Sequence, residues 1–295
     1  MPKWLLFSVL TLVFWGFWPV LPKALTRELS GYHIQTLSTA GLLPILAFML
    51  LSWRRQWRAF QLRGVVIAFV AGLFGALGNV AYYEALSSSQ QASTVITLGA
   101  LYPVVTVVLA MALLRERPHF LQLAGIVLAL GAIYVFNPLG EGTDLQSVSV
   151  YAFLPIGFYG VAGLLQKVST RTLSSELACF WFLAAFVPVA AWCIVRDDSL
   201  SWSHSAKDWA ILGGVGLTYA LGNWTLLAAF AAGGKASVVT PLTGLYYVVA
   251  LPILVGVFGE KIGTREWWGI GLSVAAVVGL SFERASPGNP PAPQQ

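Results

Sequence analysis

Residues 92–137 read ASTVITLGALYPVVTVVLAMALLRERPHFLQLAGIVLALGAIYVFN, and residues 236–281 read ASVVTPLTGLYYVVALPILVGVFGEKIGTREWWGIGLSVAAVVGLS. The two stretches align without a gap at an offset of 144 positions, and 13 of the 46 aligned pairs are identical. The same offset pairs Lys23 with Lys167 and the dipeptide Gly78-Asn79 with Gly222-Asn223. The chain therefore contains two copies of one structural unit.

The composition excludes a water-soluble protein. Apolar residues make up 57% of the 295 residues, charged residues make up 10%, and the mean hydropathy is +0.75. Soluble domains carry about 25% charged residues. The chain divides into apolar stretches long enough to cross about 30 Å of hydrocarbon as helices. These stretches lie near 4–25, 32–52, 64–86, 92–114, 119–138, 150–168, 176–195, 208–230, 237–258 and 265–282.

The repeat and the apolar stretches together predict an all-α polytopic membrane protein with ten transmembrane helices in a 5+5 inverted repeat. We expect the first five-helix unit at 1–139, a connecting loop at 140–149, the second unit at 150–283 and a disordered tail at 284–295. Because each unit has an odd number of spans, the second unit must enter the membrane from the opposite side. Fused inverted units of this kind are typical of secondary transporters.

The charged residues that give the net charge of +5 lie at the predicted membrane boundaries. With ten spans and both ends on one face, 11 Lys and Arg residues fall on that face and six on the other. The positive-inside rule then favours cytoplasmic termini and a multi-pass location in the plasma (inner) membrane. Because the charge is explained by the lipid bilayer, no nucleic acid partner is expected.

Signals for catalysis and cofactors are absent from the sequence. No HExxH, CxxC, GxSxG or GxxxxGK[ST] motif occurs. The three histidines, His33, His119 and His204, fall on separate connections, so the sequence indicates no metal site. We therefore expect neither an enzyme nor a resident cofactor.

Glu84 is the sharpest single candidate for a functional role. It lies in VAYYEAL near the end of the third apolar stretch, and its repeat counterpart is the neutral Ala228. A carboxylate inside a membrane segment is costly and is by default a functional-site hypothesis. Glu84 is therefore a candidate for proton coupling. The alternative is that its carboxylate reaches the interface and is merely hydrated.

Other polar and aromatic side chains recur in both units. Lys23 and Lys167 are repeat mates that either snorkel to the interface or guard an entrance as gating residues. Asn79 and Asn223 lie near mid-helix, where an amide either bonds a neighbouring helix or contacts a solute. Several polar-tipped aromatic residues could line a cavity or simply fill the core. From these groups we choose a substrate-binding set of Trp15, Asn79, Tyr83, Tyr102, Tyr159, Asn223, Tyr246 and Tyr247.

Both units resemble the EamA repeat of the drug/metabolite transporter superfamily. The first unit has WGFWPVLPK around Trp15-Gly16 and Lys23, then LYPVVTVVLAMALLRERP from Leu101. The second unit keeps Lys167, Leu245-Tyr246 and Gly259-Glu260-Lys261. The resemblance implies that spans one, three, four, six, eight and nine surround a central cavity, with spans five and ten more peripheral.

The resemblance also implies movement of a small polar metabolite, such as an amino acid, a sugar or a related solute. Alternating access is the expected mechanism, with proton coupling as an option. A non-transporting membrane sensor or scaffold is the alternative, and a homo-oligomer is left open.

Overall fold

The computed structural model describes residues 1–25, 28–52, 61–88, 92–100, 102–115, 120–136, 151, 153–259, 261 and 263–281. The expected loop at 140–149 and the tail at 284–295 lie outside the described residues. The first half contains α1 Lys3–Phe17, α2 Gly31–Ala40, α3 Leu43–Ser52, α4 Leu62–Ser88, α5 Ala92–Gly99, α6 Tyr102–Leu109 and α7 Phe120–Phe136. The second half contains α8 Leu154–Ser169, α9 Ser175–Ala184, α10 Phe186–Arg196, α11 Ala206–Ala231, α12 Ala236–Gly244, α13 Tyr247–Phe258 and α14 Thr264–Ser281.

These helices make ten crossings, because four pairs of consecutive helices each form one interrupted span. The pairs are α2 with α3, α5 with α6, α9 with α10, and α12 with α13. Six of the described helical stretches reach 18 residues and are apolar enough to cross a membrane, and shorter apolar helices accompany them. The all-helical, multi-span architecture predicted from the sequence is therefore confirmed.

The interruptions recur at equivalent places in the two halves. The break between α2 and α3 falls at Gly41, and the break between α9 and α10 falls at Ala185, 144 residues later. Pro44 and Pro188 follow these breaks in the first turns of α3 and α10. Proline lacks an N–H, so it cannot continue the hydrogen-bond ladder of the helix before it. The two halves are therefore interrupted at equivalent positions of the sequence repeat.

Packing contacts between the two halves occur in equivalent pairs: a residue of the first half packs on the second half, and its repeat counterpart packs on the first half in the same way. A Cβ at Gly72 would overlap the carbonyl of Phe182, and its counterpart Gly216 is packed in the same way on the carbonyl of Ser38. Two further exchanged pairs are Gly16 on Val249 with Gly160 on Val105, and Gly78 on the Tyr159 ring with Gly222 on the Trp15 ring. Reciprocal contacts of this kind define a two-fold axis. Because each half has five spans, the axis lies in the membrane plane and the repeat is inverted.

The helices divide into a central group and a peripheral pair. Across the interface between the halves, α1 packs on α11 and α12, and α4 and α6 pack on α8. Helices α7 and α14 pack mainly on one another and expose large apolar side chains such as Val127, Tyr134 and Val278. Exposed apolar surface of this kind suits contact with lipid.

Candidate solute cavity between the halves

A cavity lies where the two halves meet. Its free volume is about 460 Å³, counting the part that is open to solvent, and about 30 Å³ of it admits the centre of a water molecule. Most of its side chains are more than nine-tenths buried, so the cavity is narrow and largely closed in this conformation. Its lining is Trp15, Trp18, Gly75, Tyr102, Tyr159, Ala162, Gly163, Gln166, Phe182, Tyr219, Asn223, Leu226, Thr240 and Tyr246.

Aromatic residues make up half of the cavity wall. The Trp15 ring meets Tyr102 and Tyr246, edge to face, at centroid distances of 6.4 and 6.5 Å. The Trp18 ring packs on Tyr219 at 5.2 Å and lies 6.3 Å from Tyr159. Edge-to-face pairs are favourable because the positive ring edge meets the negative ring face. The rings therefore support each other across the boundary between the halves.

Two of these tyrosines lock the interrupted spans together. The Tyr246 hydroxyl donates to the carbonyl of Ile96 at 3.3 Å, and the Tyr102 hydroxyl donates to the carbonyl of Thr240 at 3.5 Å. Tyr102 and Tyr246 are repeat mates, and so are Ile96 and Thr240. These two hydrogen bonds are thus a further pair of equivalent contacts between the halves. They tie α5 and α12, the first helices of two interrupted spans, to the tyrosines of the cavity wall, and transporters built on discontinuous helices place such spans beside the site.

The amide side chains are held by different partners in the two halves. The Tyr159 hydroxyl donates to Asn79 Oδ1 at 2.8 Å. Gln166 Nε2 donates to Asn223 Oδ1 at 2.8 Å, and Asn223 Nδ2 donates to the carbonyl of Tyr219 at 2.9 Å. Buried amides need such partners because an unmet polar group is costly in an apolar interior.

Among the described wall residues, two polar atoms have no hydrogen-bond partner. They are the indole Nε1 of Trp15, whose side chain is 8% exposed, and the hydroxyl of Thr240, which is 1% exposed. Nearly all buried polar groups in proteins are hydrogen-bonded, so each exception calls for an explanation. Both atoms belong to residues that line the cavity.

Five of the eight substrate-binding residues chosen from the sequence line this cavity: Trp15, Tyr102, Tyr159, Asn223 and Tyr246. The structure brings them together from five separate spans. Their part in binding a solute stays a prediction.

The other three residues of that set lie elsewhere. Asn79 and Tyr83 line a neighbouring cavity of about 160 Å³, and Tyr83 accepts a bond from the Trp18 indole at 2.9 Å. Tyr247 is fully buried and lines neither cavity.

Nine of the 14 wall residues were outside the set chosen from the sequence, among them Gln166, Phe182, Tyr219 and Thr240. Tyr219 precedes Asn223 by four positions, one helical turn, so it shares the face of Asn223. That spacing was a signal in the sequence. Phe182 came from span seven, which the family resemblance did not place at the cavity.

Lys167 caps a helix. Its Nζ donates to the carbonyls of Gly234 at 2.7 Å and Phe230 at 3.2 Å, and it lies 5.7 Å from the centre of the Phe230 ring. These carbonyls end α11, and a cation at a helix C-terminus is favourable. Its mate Lys23 is partly buried in the 3₁₀ turn Leu21–Ala24. A gating role for either lysine stays a prediction.

Glu84 lies outside the cavity, at the start of α2. Its Oε1 accepts the backbone N–H of Tyr32 at 3.2 Å, and Gly31 packs directly on the Glu84 backbone. A carboxylate is favourable at a helix N-terminus, where N–H groups have no partner within the helix. Its part in proton coupling stays a prediction.

A polar cluster joins the halves at the membrane face where α2 begins and α10 ends, here called the far face. The Ser30 hydroxyl donates to Asp197 Oδ2 at 2.7 Å, and His33 Nδ1 lies 3.0 Å from the same oxygen. Ser199 donates to Asp197 Oδ1 through its backbone N–H at 3.2 Å and its hydroxyl at 2.6 Å. These bonds lower the pKa of the Asp197 carboxyl, chiefly through Ser199 and then Ser30. We call Ser30, His33, Asp197 and Ser199 the far-face latch.

The family follows from comparison with known proteins. Residues 2–137 and residues 146–282 each match the EamA-like transporter family. The chain belongs to that family. It is thus a multi-pass membrane protein of a transporter family rather than of an enzyme family, and the resemblance seen in the sequence is confirmed.

Individual relatives of this EamA-family chain are distant. The pseudopaline exporter CntI of Pseudomonas aeruginosa is 27% identical over 187 residues, which is 60% of this chain and 61% of that one. An uncharacterized transporter of Archaeoglobus fulgidus is 30% identical over 184 residues, which is 60% of this chain and 63% of that one. The chain thus matches about three fifths of the length of these relatives. One solved crystal structure shares the fold, with a TM-score of 0.74 and 16% identity over 94% of this chain and 95% of that one.

Proposed function

We propose that this protein carries a small metabolite across the plasma membrane by alternating access. The observation that supports this most is the narrow, largely closed cavity between two halves related by an in-plane two-fold axis. Inverted repeats around a midplane site allow one half to rock against the other about that site. In the described conformation the cavity has room for about two waters, since one water needs roughly 10–15 Å³ of such space. In the proposed cycle this narrow conformation corresponds to a nearly closed state between the two open ones.

The far-face latch supports the same mechanism. Its bonds run from the start of α2 in the first half to the end of α10 and the following connection in the second half. For the cavity to open on this face, these bonds must break. Contacts that exist in one state and not in another are what set the balance between states.

Orientation, direction and coupling are the finer parts of the proposal. The distribution of 11 and six positive residues supports cytoplasmic termini, which would make the far face extracytoplasmic. The exporter among the relatives supports outward movement. For coupling, protonation of Glu84 would weaken its charge-assisted bond to the start of α2. An imposed pH gradient across proteoliposomes containing Glu84→Gln tests this last part.

The proposal is tested with a metabolite mixture loaded into proteoliposomes and release followed by mass spectrometry. Gly222→Val should slow release, because a side chain at Gly222 overlaps the Trp15 indole and drives it into the cavity. Overpacking costs about 1–3 kcal/mol, and the same cost placed on the transport step would slow release roughly 5- to 160-fold. Gly213→Val is the matched control on the same helix, since nothing lies within 4 Å of its Cβ position.

Two outcomes would contradict the proposal. Either no metabolite leaves the vesicles faster than from protein-free vesicles, or Gly222→Val and Gly213→Val release metabolites at the same rate while both proteins remain folded. The first result would favour the sensor or scaffold alternative.

A further inference from the structure

The cavity wall carries no formal charge. The 14 residues that the structure places around it include no Asp, Glu, Lys, Arg or His. An ion that enters an apolar, largely closed site loses its hydration and needs a partner of opposite charge to compensate. A solute with a net charge would find no such partner on this wall.

The wall instead offers aromatic surface. Trp15 and Trp18 stand among tyrosines from both halves, and Phe182 adds a ring from α9. A flat ring can pack on such a wall edge to face or offset, in the arrangements that the wall residues already use with one another. A saturated chain of the same area would gain the apolar contact but not this electrostatic match.

The two wall atoms without a hydrogen-bond partner indicate which polar group the solute would carry. The Trp15 indole N–H can only donate, and the Thr240 hydroxyl can donate or accept. The amides of Gln166 and Asn223 already bond to one another. Both atoms are covered in this conformation, so a solute would reach them only once the cavity widens. A solute carbonyl oxygen with two lone pairs is the complement of such donors.

We infer that this cavity binds an uncharged aromatic or heteroaromatic ring that bears a hydrogen-bond acceptor, and rejects charged analogues of the same shape. The inference rests on the proposed transport function and narrows its solute. Because the largely closed cavity holds about two waters, the ring must displace them and widen the cavity as it binds.

Three ring compounds of nearly the same shape test the charge rule. Benzamide is uncharged, benzoate is an anion and benzamidine is a cation at neutral pH. Binding to the purified full chain in detergent is measured by thermal stabilisation over a concentration series, with zwitterionic phenylalanine as a fourth probe. We expect benzamide to bind about tenfold or more tightly than the three charged probes, because they bury uncompensated charge. Equal or tighter binding of any charged probe would overturn the inference.

Two variants test the hydrogen bonds. Trp15→Phe keeps a ring and removes the N–H, and Thr240→Val keeps the shape and removes the hydroxyl. Each should weaken benzamide binding about three- to tenfold, the range for one neutral hydrogen bond. Toluene, which has no acceptor, should bind these variants and the parent chain alike. Trp202→Phe is the control, because Trp202 is 55% exposed on the far-face connection.

The outcomes separate this inference from the transport proposal. The proteoliposomes could release only charged metabolites, or Trp15→Phe could weaken the binding of toluene and of benzamide equally. In either case the inferred solute class is wrong, while the transport proposal is unaffected. If benzamide binds as expected but no solute crosses the membrane, the wall chemistry is right and the transport proposal fails.

Discussion

Helices α2 and α9 begin at equivalent positions of the two halves, yet their first turns differ in chemistry. The Ser30 hydroxyl accepts the N–H of His33 at 3.2 Å, and the Ser174 hydroxyl accepts the N–H of Leu177 at 3.3 Å. The serine cap is therefore the same in both halves, whereas the residue three positions after it differs: His33 in α2 and Leu177 in α9. His33 reaches Asp197 and the carbonyl of Ser199, whereas Leu177 is 4% exposed and lies in the apolar core.

This difference shows that the repeat preserves backbone packing and allows the faces of the membrane to diverge. Exchanged glycine contacts depend on the backbone alone, so both halves must keep them. Side chains at the helix starts are not constrained in this way, and the start of α2 forms part of the far-face latch. The counterparts of Asp197 and Ser199 are Trp53 and Arg55, which lie outside the described residues. Residues of that kind cannot reproduce a carboxylate latch on the other face.

The strongest test of the symmetry is a pair of alanines. Gly72→Ala and Gly216→Ala should each lower the free energy of unfolding by about 1–3 kcal/mol, because the new methyl group meets a backbone carbonyl that cannot rotate away. Gly213→Ala, in open space, should be neutral or raise stability by up to about 1 kcal/mol through helix propensity. Melting in detergent measures all three. If only one of the paired variants is destabilised, the two interfaces are not equivalent.

The second prediction, of intermediate size, replaces His33 of α2 by leucine, the residue at the equivalent position of α9. His33→Leu should lower the free energy of unfolding by about 1 kcal/mol, since it removes the contacts of His33 with Asp197 and Ser199. His204→Leu changes an exposed histidine on the same face, bonded to the carbonyl of Ser201, and should change stability by less than about 0.5 kcal/mol. Equal effects of the two variants would show that the latch contributes nothing particular.

The smallest expected effect is the response of the latch to acid. The pKa of Asp197 is lower in the folded protein than in the unfolded chain, so its contribution is present above the unfolded value of about 3.9 and is lost as the pH falls through the folded value. The loss should stay below about 1 kcal/mol, as for other ion pairs near a surface. The titratable or charged groups around this latch are Tyr32, Glu84, Cys193, Arg196 and Asp198.

The comparison for this test is Asp197→Asn. Melting curves of the parent chain and of this variant, recorded from pH 6 down through the lowered pKa of Asp197, should converge as Asp197 becomes protonated. Curves that stay separated by a constant amount across the range would show that the charge of Asp197 is not what matters.

The sequence predicted the number, length and pairing of the spans because each of these depends on local features. A run of apolar residues long enough to cross the bilayer is visible without any tertiary contact. An internal repeat is likewise a property of the chain alone. The roles of particular side chains were harder to predict. Lys167 was assigned either to the interface or to a gate, and the structure shows it capping α11 with bonds to Phe230 and Gly234. That arrangement needs residues more than 60 positions away.

The amino-acid sequence by itself determined that this chain is a duplicated, inverted bundle of membrane-spanning helices. Only the tertiary structure decided which side chains meet at the interface between the halves. It joined Trp15, Tyr102 and Thr240 around one largely closed cavity, moved Asn79 and Tyr83 to a neighbouring one, and set Glu84 against the start of α2. The physical reason is that hydropathy acts on each segment separately. Cavity walls and polar clusters arise from the rotation and depth of several helices at once.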